Sequence, residues 1–374
     1  MKKFIFDRLV DRENICNMQK ERLLLSKHIK QKANVVIFAP RNYGKTSLLK
    51  NVVIEDFKKE HKKSFVFFVD LFGVKDMESL VNRLINAFEH SFSQSFPVKN
   101  LLQEVKTFLT NLKPEISMDS LSGSPSISLG LSPQRKEYSI EYIFQLIDGI
   151  AKKIPALIVI DEFQDIVAVE ESQAIFRTVF QNMQVIPTIL MGSKRHILND
   201  IFSKTDAPFA LWGIGLQIPP IPYSEYQHYI QERFQPSGLI LNEPESVYLQ
   251  DLVYRVPEAI NIICQHLIEM YSHTDITKEF IRNALKETIE NREGRFEAQL
   301  FSYSKAEETI LIELAKAGYI SQPQSKSFLA KVKLSNRTVG KIFSEFMDAG
   351  VIEKVERQYR ISNPLLGFYL KFYR

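Results

Sequence analysis

The residues able to do chemistry fall in two short runs. The first is Ala39-Pro40-Arg41-Asn42-Tyr43-Gly44-Lys45-Thr46-Ser47. Its Gly-Lys-Thr ending closes the pattern Gly-x-x-x-x-Gly-Lys-[Ser/Thr]. Such a loop cradles phosphate oxygens with successive backbone N–H groups and the N-terminus of the next helix. In that role Lys45 reaches the β- and γ-phosphates and the Thr46 hydroxyl ligates Mg²⁺. The first glycine of the pattern is replaced by Ala39, which lacks glycine's freedom at positive φ. The loop must therefore hold Ala39 in an ordinary backbone region, or bind less tightly. The second run is Asp161-Glu162, which ends the apolar stretch Ala156-Leu157-Ile158-Val159-Ile160. Asp161 is the candidate Mg²⁺ ligand. Glu162 is the candidate general base, polarising the water that attacks a γ-phosphate. In this order the two runs imply ATP or GTP binding, with hydrolysis as the reaction. Ser193 closes a further apolar run, where its hydroxyl could contact the γ-phosphate or the attacking water. Arg195 could serve as an arginine finger, in cis or onto a neighbouring subunit, or stand as a surface cation.

Elements of a particular kind must position these groups. Asn34–Phe38 reads as a strand, followed by the loop and a helix through Lys58. Ser64–Asp70 is apolar throughout, as suits a parallel strand buried on both faces. Helical spacing places Leu80, Val81, Leu84, Ile85 and Phe88 on one face of Met77–Phe92. A helix at Ile140–Lys152 leads to the strand ending in Asp161-Glu162. Pro187–Ser193 is another strand, and a short apolar one ends near Leu216–Ile218. Strands alternating with helices argue for βαβ units. A helix is also expected over Arg12–Lys30. The Ser/Gly/Pro-rich stretch at about 114–134 suggests an inserted hairpin, with alternation at Ile127, Leu129 and Leu131. Pro219, Pro220 and Pro222 mark a boundary. Beyond them the pattern is mostly helical, with a terminal hairpin. The expected division is a core at 1–220, a helical lid at 221–298 and a third domain at 299–374.

Composition restricts the options. The 374 residues are 45% apolar and 25% charged, an ordinary globular balance. No apolar run reaches the 18 residues of a membrane span, and the charged start, Met1–Arg8, does not suit a signal peptide. Cys16 and Cys264 lack metal or redox spacing and fit reduced thiols in a cytoplasmic protein. The formal charge of +4 is uneven: Lys326–Arg374 holds ten Lys/Arg against four Asp/Glu. A basic end of this kind is the first requirement of a nucleic-acid surface, or simply a solvated face.

With these pieces in order, the chain resembles the archaeal-type ATPase family in the STAND branch of P-loop NTPases, relatives of the AAA+ proteins. The similarity runs nearly the full length. The loop resembles the family's G-P-R-R-x-G-K-T-S, and Asp161-Glu162-Phe163-Gln164 resembles its D-E-F-Q Walker B. The Ser/Gly-rich hairpin and Gly192-Ser193 are similar as well. Leu9–Ile15 looks like the h-h-G-R-E-x-E motif beside the base, with Arg12 and Glu13 carried over but Asp11 and Ile15 departing. Tyr254-Arg255-Val256-Pro257 resembles a G-x-P element near the adenine, with Arg255 where the glycine would be and Pro257 transferable. Ile214 stands where the family often has an arginine. The resemblance implies ATP over GTP, Mg²⁺ as cofactor and a C-terminal winged helix. Helices at Glu307–Ala317 and Ser327–Val332, a third capped by Ser335, and a wing from Val351–Val355 and Tyr359–Ile361 would form it. Asn336, Arg337 and Lys341 on the third helix could reach DNA phosphates or base edges.

The expected fold is α/β: a parallel P-loop sheet flanked by helices, then a helical lid and the winged helix. The expected function is a slow Mg²⁺-dependent ATPase acting as a nucleotide-controlled switch for a protein partner, a homo-oligomer or DNA, with no membrane role. The competing reading is a winged-helix DNA regulator or interaction scaffold in which bound nucleotide is structural.

Overall fold

The structure is a computed structural model that describes residues 3–6, 8–16, 18–39, 43–96, 115–118, 125–128, 136–183, 185–204, 207–355 and 357–374. They form two compact units. One holds residues 18–39 and 45–219; the other holds residues 3–16, 43–44 and 220–374.

The first unit is an α/β sheet layer. Its strands are β1 (Val35–Phe38), β2 (Phe65–Asp70), β5 (Ala156–Asp161), β6 (Thr188–Gly192) and β7 (Ile214–Gln217). They pair in parallel in the order β2-β5-β6-β1-β7. β5 and β6 are buried at every position, which explains their unbroken apolar sequence. β7 sits at the edge, so Ile214 is exposed rather than part of an apolar core strand. The helices Met77–Ser95, Lys136–Ala151 and Ser172–Asn182 flank the sheet. The first of these starts with a capping box between Asp76 and Ser79. Between β2 and β5, β3 (Glu115–Met118) and β4 (Pro125–Ser128) pair antiparallel within the stretch read as an insertion.

The helix expected over Arg12–Lys30 is shorter and runs Gln19–Lys30. Asp11 prevents the earlier start. Its Oδ1 accepts the Asn14 N–H at 3.1 Å and the Asn14 side-chain amide at 2.8 Å, closing a turn instead. Residues 3–16 also belong to the second unit rather than to the sheet core they were grouped with. The buried Arg233 explains this: its guanidinium donates to the Lys3 carbonyl (3.1 Å) and to Asn14 Oδ1 (2.9 Å). Asn261 adds a hydrogen bond to the Ile5 carbonyl at 2.9 Å.

The rest of the second unit is helical until its end. Lys305–Ala317, Lys326–Val332 and Asn336–Ala349 start at Ser304, Ser325 and Ser335, each accepting an N–H from the first turn. Val339, Ile342, Phe343 and Phe346 form the buried face of the last one. β8 (Ile352–Val355) and β9 (Gln358–Ile361) then pair antiparallel. The aromatic terminus, Pro364–Tyr373, is a helix that buries Leu365, Leu366, Tyr369 and Leu370. Among the described residues no helix is long and apolar enough to cross a membrane.

β6 ends on glycine for a steric reason. A Cβ at Gly192 would lie 1.8 Å from Gln164 Oε1 and 3.1 Å from Leu198 Cδ1. Gln164 is itself buried, so it has little room to retreat. Gly192→Ala is expected to cost about 1–3 kcal/mol, the usual penalty for overpacking. Urea unfolding of the variant beside wild type measures it, and an unchanged midpoint would show that Gln164 moves freely.

Candidate functional site

Sheet order decides which side chains meet. β6 lies between β1 and β5, and Phe38 is in register with Gly192. The C-terminal ends of three parallel strands therefore converge. β1 leads into the loop, β5 ends in Asp161, and Ser193 follows β6 between them. Ligands of open α/β sheets bind at such carboxyl ends.

Thr46 Oγ1 donates a hydrogen bond to Asp161 Oδ2 at 2.8 Å. The second carboxylate oxygen, Oδ1, accepts the Glu162 N–H at 2.8 Å. Burial pushes the Asp161 carboxyl up to about 6, against the Thr46 hydrogen bond and the Lys45 charge, which favour ionisation. Lys45 is buried, and its Nζ donates to the Ala39 carbonyl at 3.1 Å. Ala39 is buried and is not among the residues with positive φ, so the missing glycine is tolerated without backbone strain. Gly44 does need its glycine: its φ is +76° directly before the helix that starts at Lys45. Ser47 is buried in the first turn of that helix. Pro40, Arg41 and Asn42 lie outside the described residues, as does the Arg195 side chain.

Glu162 adopts a left-handed backbone, φ +49° and ψ +41°. For a non-glycine residue this costs of order 1 kcal/mol or more, and such outliers concentrate at functional sites. Phe163 pins the turn: it is fully buried, with Phe176, Phe202 and Phe209 ring centroids at 5.7, 5.9 and 5.4 Å. The Glu162 carboxylate is held by three donors to Oε2: Ser193 Oγ at 2.8 Å, the Ser193 N–H at 3.3 Å and Gln164 Nε2 at 2.6 Å. The pairing of Ser193 with Glu162, rather than with open solvent, follows from the strand order. Sequence reasoning assigned no role to Asp165 or Lys194, which form an ion pair at 3.1 Å. Asp165 also accepts the Gly73 N–H at 2.9 Å, tying the turn after β2 to the turn after β5. No spacing in the sequence links these residues; the fold alone joins them.

The remaining candidates belong to the second unit. Arg12 and Glu13 lie exposed in the turn that Asp11 closes. Pro257 opens the helix Pro257–Met270, and its carbonyl accepts the Tyr226 hydroxyl at 3.0 Å. Arg255 has φ +59°, the left-handed geometry a glycine would adopt most readily, and its guanidinium stacks 4.1 Å over the Tyr223 ring. Tyr43 is buried, which raises its phenol; Glu353 raises it further, while Arg360 and Arg255 lower it. Asn336, Arg337 and Lys341 are exposed on their helix, with Lys341 Nζ 3.6 Å from Glu345.

Residues 27–199 match the family model described as an AAA domain. An ATP-binding protein of Methanocaldococcus jannaschii is 27% identical over 169 residues, covering 42% of this chain and 45% of that protein. The match thus spans less than half of that relative's length. Among solved structures, a Walker-type ATPase of Pyrococcus abyssi superimposes with a TM-score of 0.66 at 16% identity, over 98% of this chain and 99% of that one. The ORC2 protein of Aeropyrum pernix, solved as ADPNP–ADP complexes, gives 0.55 at 14% identity, over 99% and 96%. At these identities the structures speak for the fold alone.

The raised Asp161 has a thermodynamic consequence. Its folded pKa lies above that of an unfolded aspartate, so the folded state holds the proton more tightly. Its contribution to stability is largest below about pH 4 and is lost as pH rises to about 6. Denaturant titrations of the nucleotide-free protein across this range should show wild type losing up to about 3 kcal/mol relative to Asp161→Asn. Parallel profiles for the two proteins would contradict this.

Proposed function

We propose that this chain, whose residues 27–199 match the model of an AAA domain, binds ATP with Mg²⁺, hydrolyses it slowly, and uses the bound state as a switch. The observation that carries the reading is the Thr46–Asp161 hydrogen bond at 2.8 Å. It brings a hydroxyl from the phosphate-loop helix and a carboxylate from β5 to one point. Both are hard oxygen donors, the set Mg²⁺ prefers. A buried carboxylate whose pKa is pushed up to about 6 gains from a neighbouring cation. When bound, the ion would neutralise charge on the β- and γ-phosphates.

The chain's own groups do the rest. Backbone N–H groups at the start of the helix at Lys45 donate to phosphate oxygens. The Lys45 ammonium leaves the Ala39 carbonyl for a γ-phosphate oxygen. Glu162 orients the attacking water and accepts its proton. Ser193 and Gln164 both donate to one oxygen of that carboxylate, Oε2, which fixes its orientation. A base restrained in this way supports slow turnover, as suits a switch rather than a motor. Arg195 is the candidate arginine finger. Arg12, Glu13 and Pro257 are the candidate base-side residues. The domain division at 220 and 298, the STAND assignment and the winged helix at 299–374 belong to this same reading.

The second reading takes nucleotide as structural and places the function in the C-terminal part, as a DNA-binding regulator or an interaction scaffold. The exposed Asn336, Arg337 and Lys341 on a helix followed by a hairpin favour it. Glu162→Gln separates the two. A switch should lose at least about 100-fold in turnover, the lower end for a general base, yet keep its affinity for ATP. Phosphate release and nucleotide titration measure both. Turnover equal to wild type would remove Glu162 from the reaction and leave the structural reading.

A further inference from the structure

The segment before the first helix is held on the second unit by a buried cation. Arg233, whose side chain is 1% exposed, stands near the end of the helix Tyr223–Phe234. Its guanidinium donates to neutral oxygens: the Lys3 carbonyl at 3.1 Å, the Tyr229 carbonyl at 3.0 Å and Asn14 Oδ1 at 2.9 Å. It also stacks 3.4 Å over the Tyr229 ring, while the Glu232 carboxylate stands 4.0 Å off. Burying a cation is a poor route to stability, since an apolar side chain of similar volume often does as well or better. What the arginine adds is a fixed position. Two of its bonds fasten the same segment at both ends, at residues 3 and 14.

Asn14 passes that position on. Its Oδ1 accepts from Arg233, and the other end of the same amide, Nδ2, donates to Asp11 Oδ1 at 2.8 Å. The Asn14 and Ile15 N–H groups both donate to the Asp11 carbonyl at 3.1 Å. Arg12 and Glu13 are the middle residues of the turn closed in this way, and both are exposed. A second anchor lies nearer the start of the segment. Asn261 donates to the Ile5 carbonyl at 2.9 Å and accepts the Tyr226 hydroxyl at 3.1 Å. The same hydroxyl lies 3.0 Å from the Pro257 carbonyl. Phe4 is buried beside Tyr229 and Phe234, with ring centroids at 6.2 and 5.8 Å. One buried frame therefore carries both the Arg12-Glu13 turn and Pro257.

We propose that Arg233, acting through Asn14, is a positioning residue for recognition of the nucleotide base: it presets the turn that carries Arg12 and Glu13. This rests on the reading of Arg12, Glu13 and Pro257 as base-side residues. Arg233 itself is too deeply buried to meet a ligand, so its effect passes through the turn. A loose turn would have to be ordered when nucleotide binds, and that ordering costs affinity; a turn ordered beforehand avoids the cost. In the same reading the triphosphate is gripped by Lys45 and Thr46. The affinity owed to the base and the affinity owed to the phosphates are therefore separable, and Arg233 acts on the first alone.

Calorimetric titration of the full chain with ATP and with tripolyphosphate, both in Mg²⁺, separates the two. Wild type should bind ATP at least about tenfold tighter than tripolyphosphate, the worth of one well-placed hydrogen bond. Asn14→Ala and Arg233→Met should each lose most of that preference while keeping tripolyphosphate affinity within about twofold of wild type. A merely structural role would lower both affinities together, and that result would overturn the proposal. Asn14→Ala carries the test if Arg233→Met fails to fold. The double substitution Arg12→Ala/Glu13→Ala should erase the same preference, and adding Asn14→Ala to it should change nothing further. Preference lost in that double substitution but kept in Asn14→Ala and Arg233→Met would overturn the positioning role alone. Preference kept in the double substitution, or absent from wild type, would overturn the base-side reading and the proposal with it.

Discussion

One hydrogen bond, from the Thr46 hydroxyl to the Asp161 carboxylate, ties together the two halves of the site. Thr46 stands in the first turn of the helix after β1, and Asp161 ends β5, with β6 between the two strands. The bond is made in a buried setting that disfavours the charge on Asp161. A carboxylate kept there lowers stability in the ion-free protein, and that cost makes sense if a cation completes the site. Everything else around it serves to fix its position. The parallel register sets the strand ends level, Lys45 folds onto Ala39, and the Phe163 aromatic cluster anchors the turn that follows.

The second constraint is the left-handed Glu162. Its backbone aims the carboxylate toward β6, where Ser193 and Gln164 hold it. Gly192 exists to leave room for Gln164. The Asp165–Lys194 ion pair and the Gly73 N–H then bind the loops after β2, β5 and β6 to one another. A change at any of these positions reaches Glu162 through contact rather than through distance.

Much of this was legible in the sequence, for identifiable reasons. Lys45, Thr46, Asp161, Glu162 and Ser193 sit at strand ends whose apolar runs are continuous, and a parallel sheet brings such ends to one edge. The Ser335 cap is a local signal and survives folding unchanged, whereas the caps at Ser304 and Ser325 start their helices earlier than the expected Glu307 and Ser327. What was not legible depends on tertiary context. The turn at Asp11 shortened the first expected helix, because a side chain competed with the backbone for the same N–H. The grouping of residues 3–16 follows from Arg233 and Asn261, more than 200 residues away in sequence. Arg255 holds a left-handed backbone, φ +59°, that a glycine adopts most readily, and its guanidinium is anchored over Tyr223, which no local sequence signal announces. The π-helical segment Leu49–Ile54 leaves no mark in periodicity over so few residues.

The central claim is that the Lys45–Thr46–Asp161 constellation binds ATP·Mg²⁺ productively. Mg²⁺-dependent ATP turnover and ATP affinity, measured side by side for wild type and Lys45→Ala, test it most directly. The account predicts measurable binding and slow turnover in wild type, and loss of both in the variant. A wild-type chain that fails to bind ATP, or a Lys45→Ala variant that binds and turns over as wild type does, would contradict it.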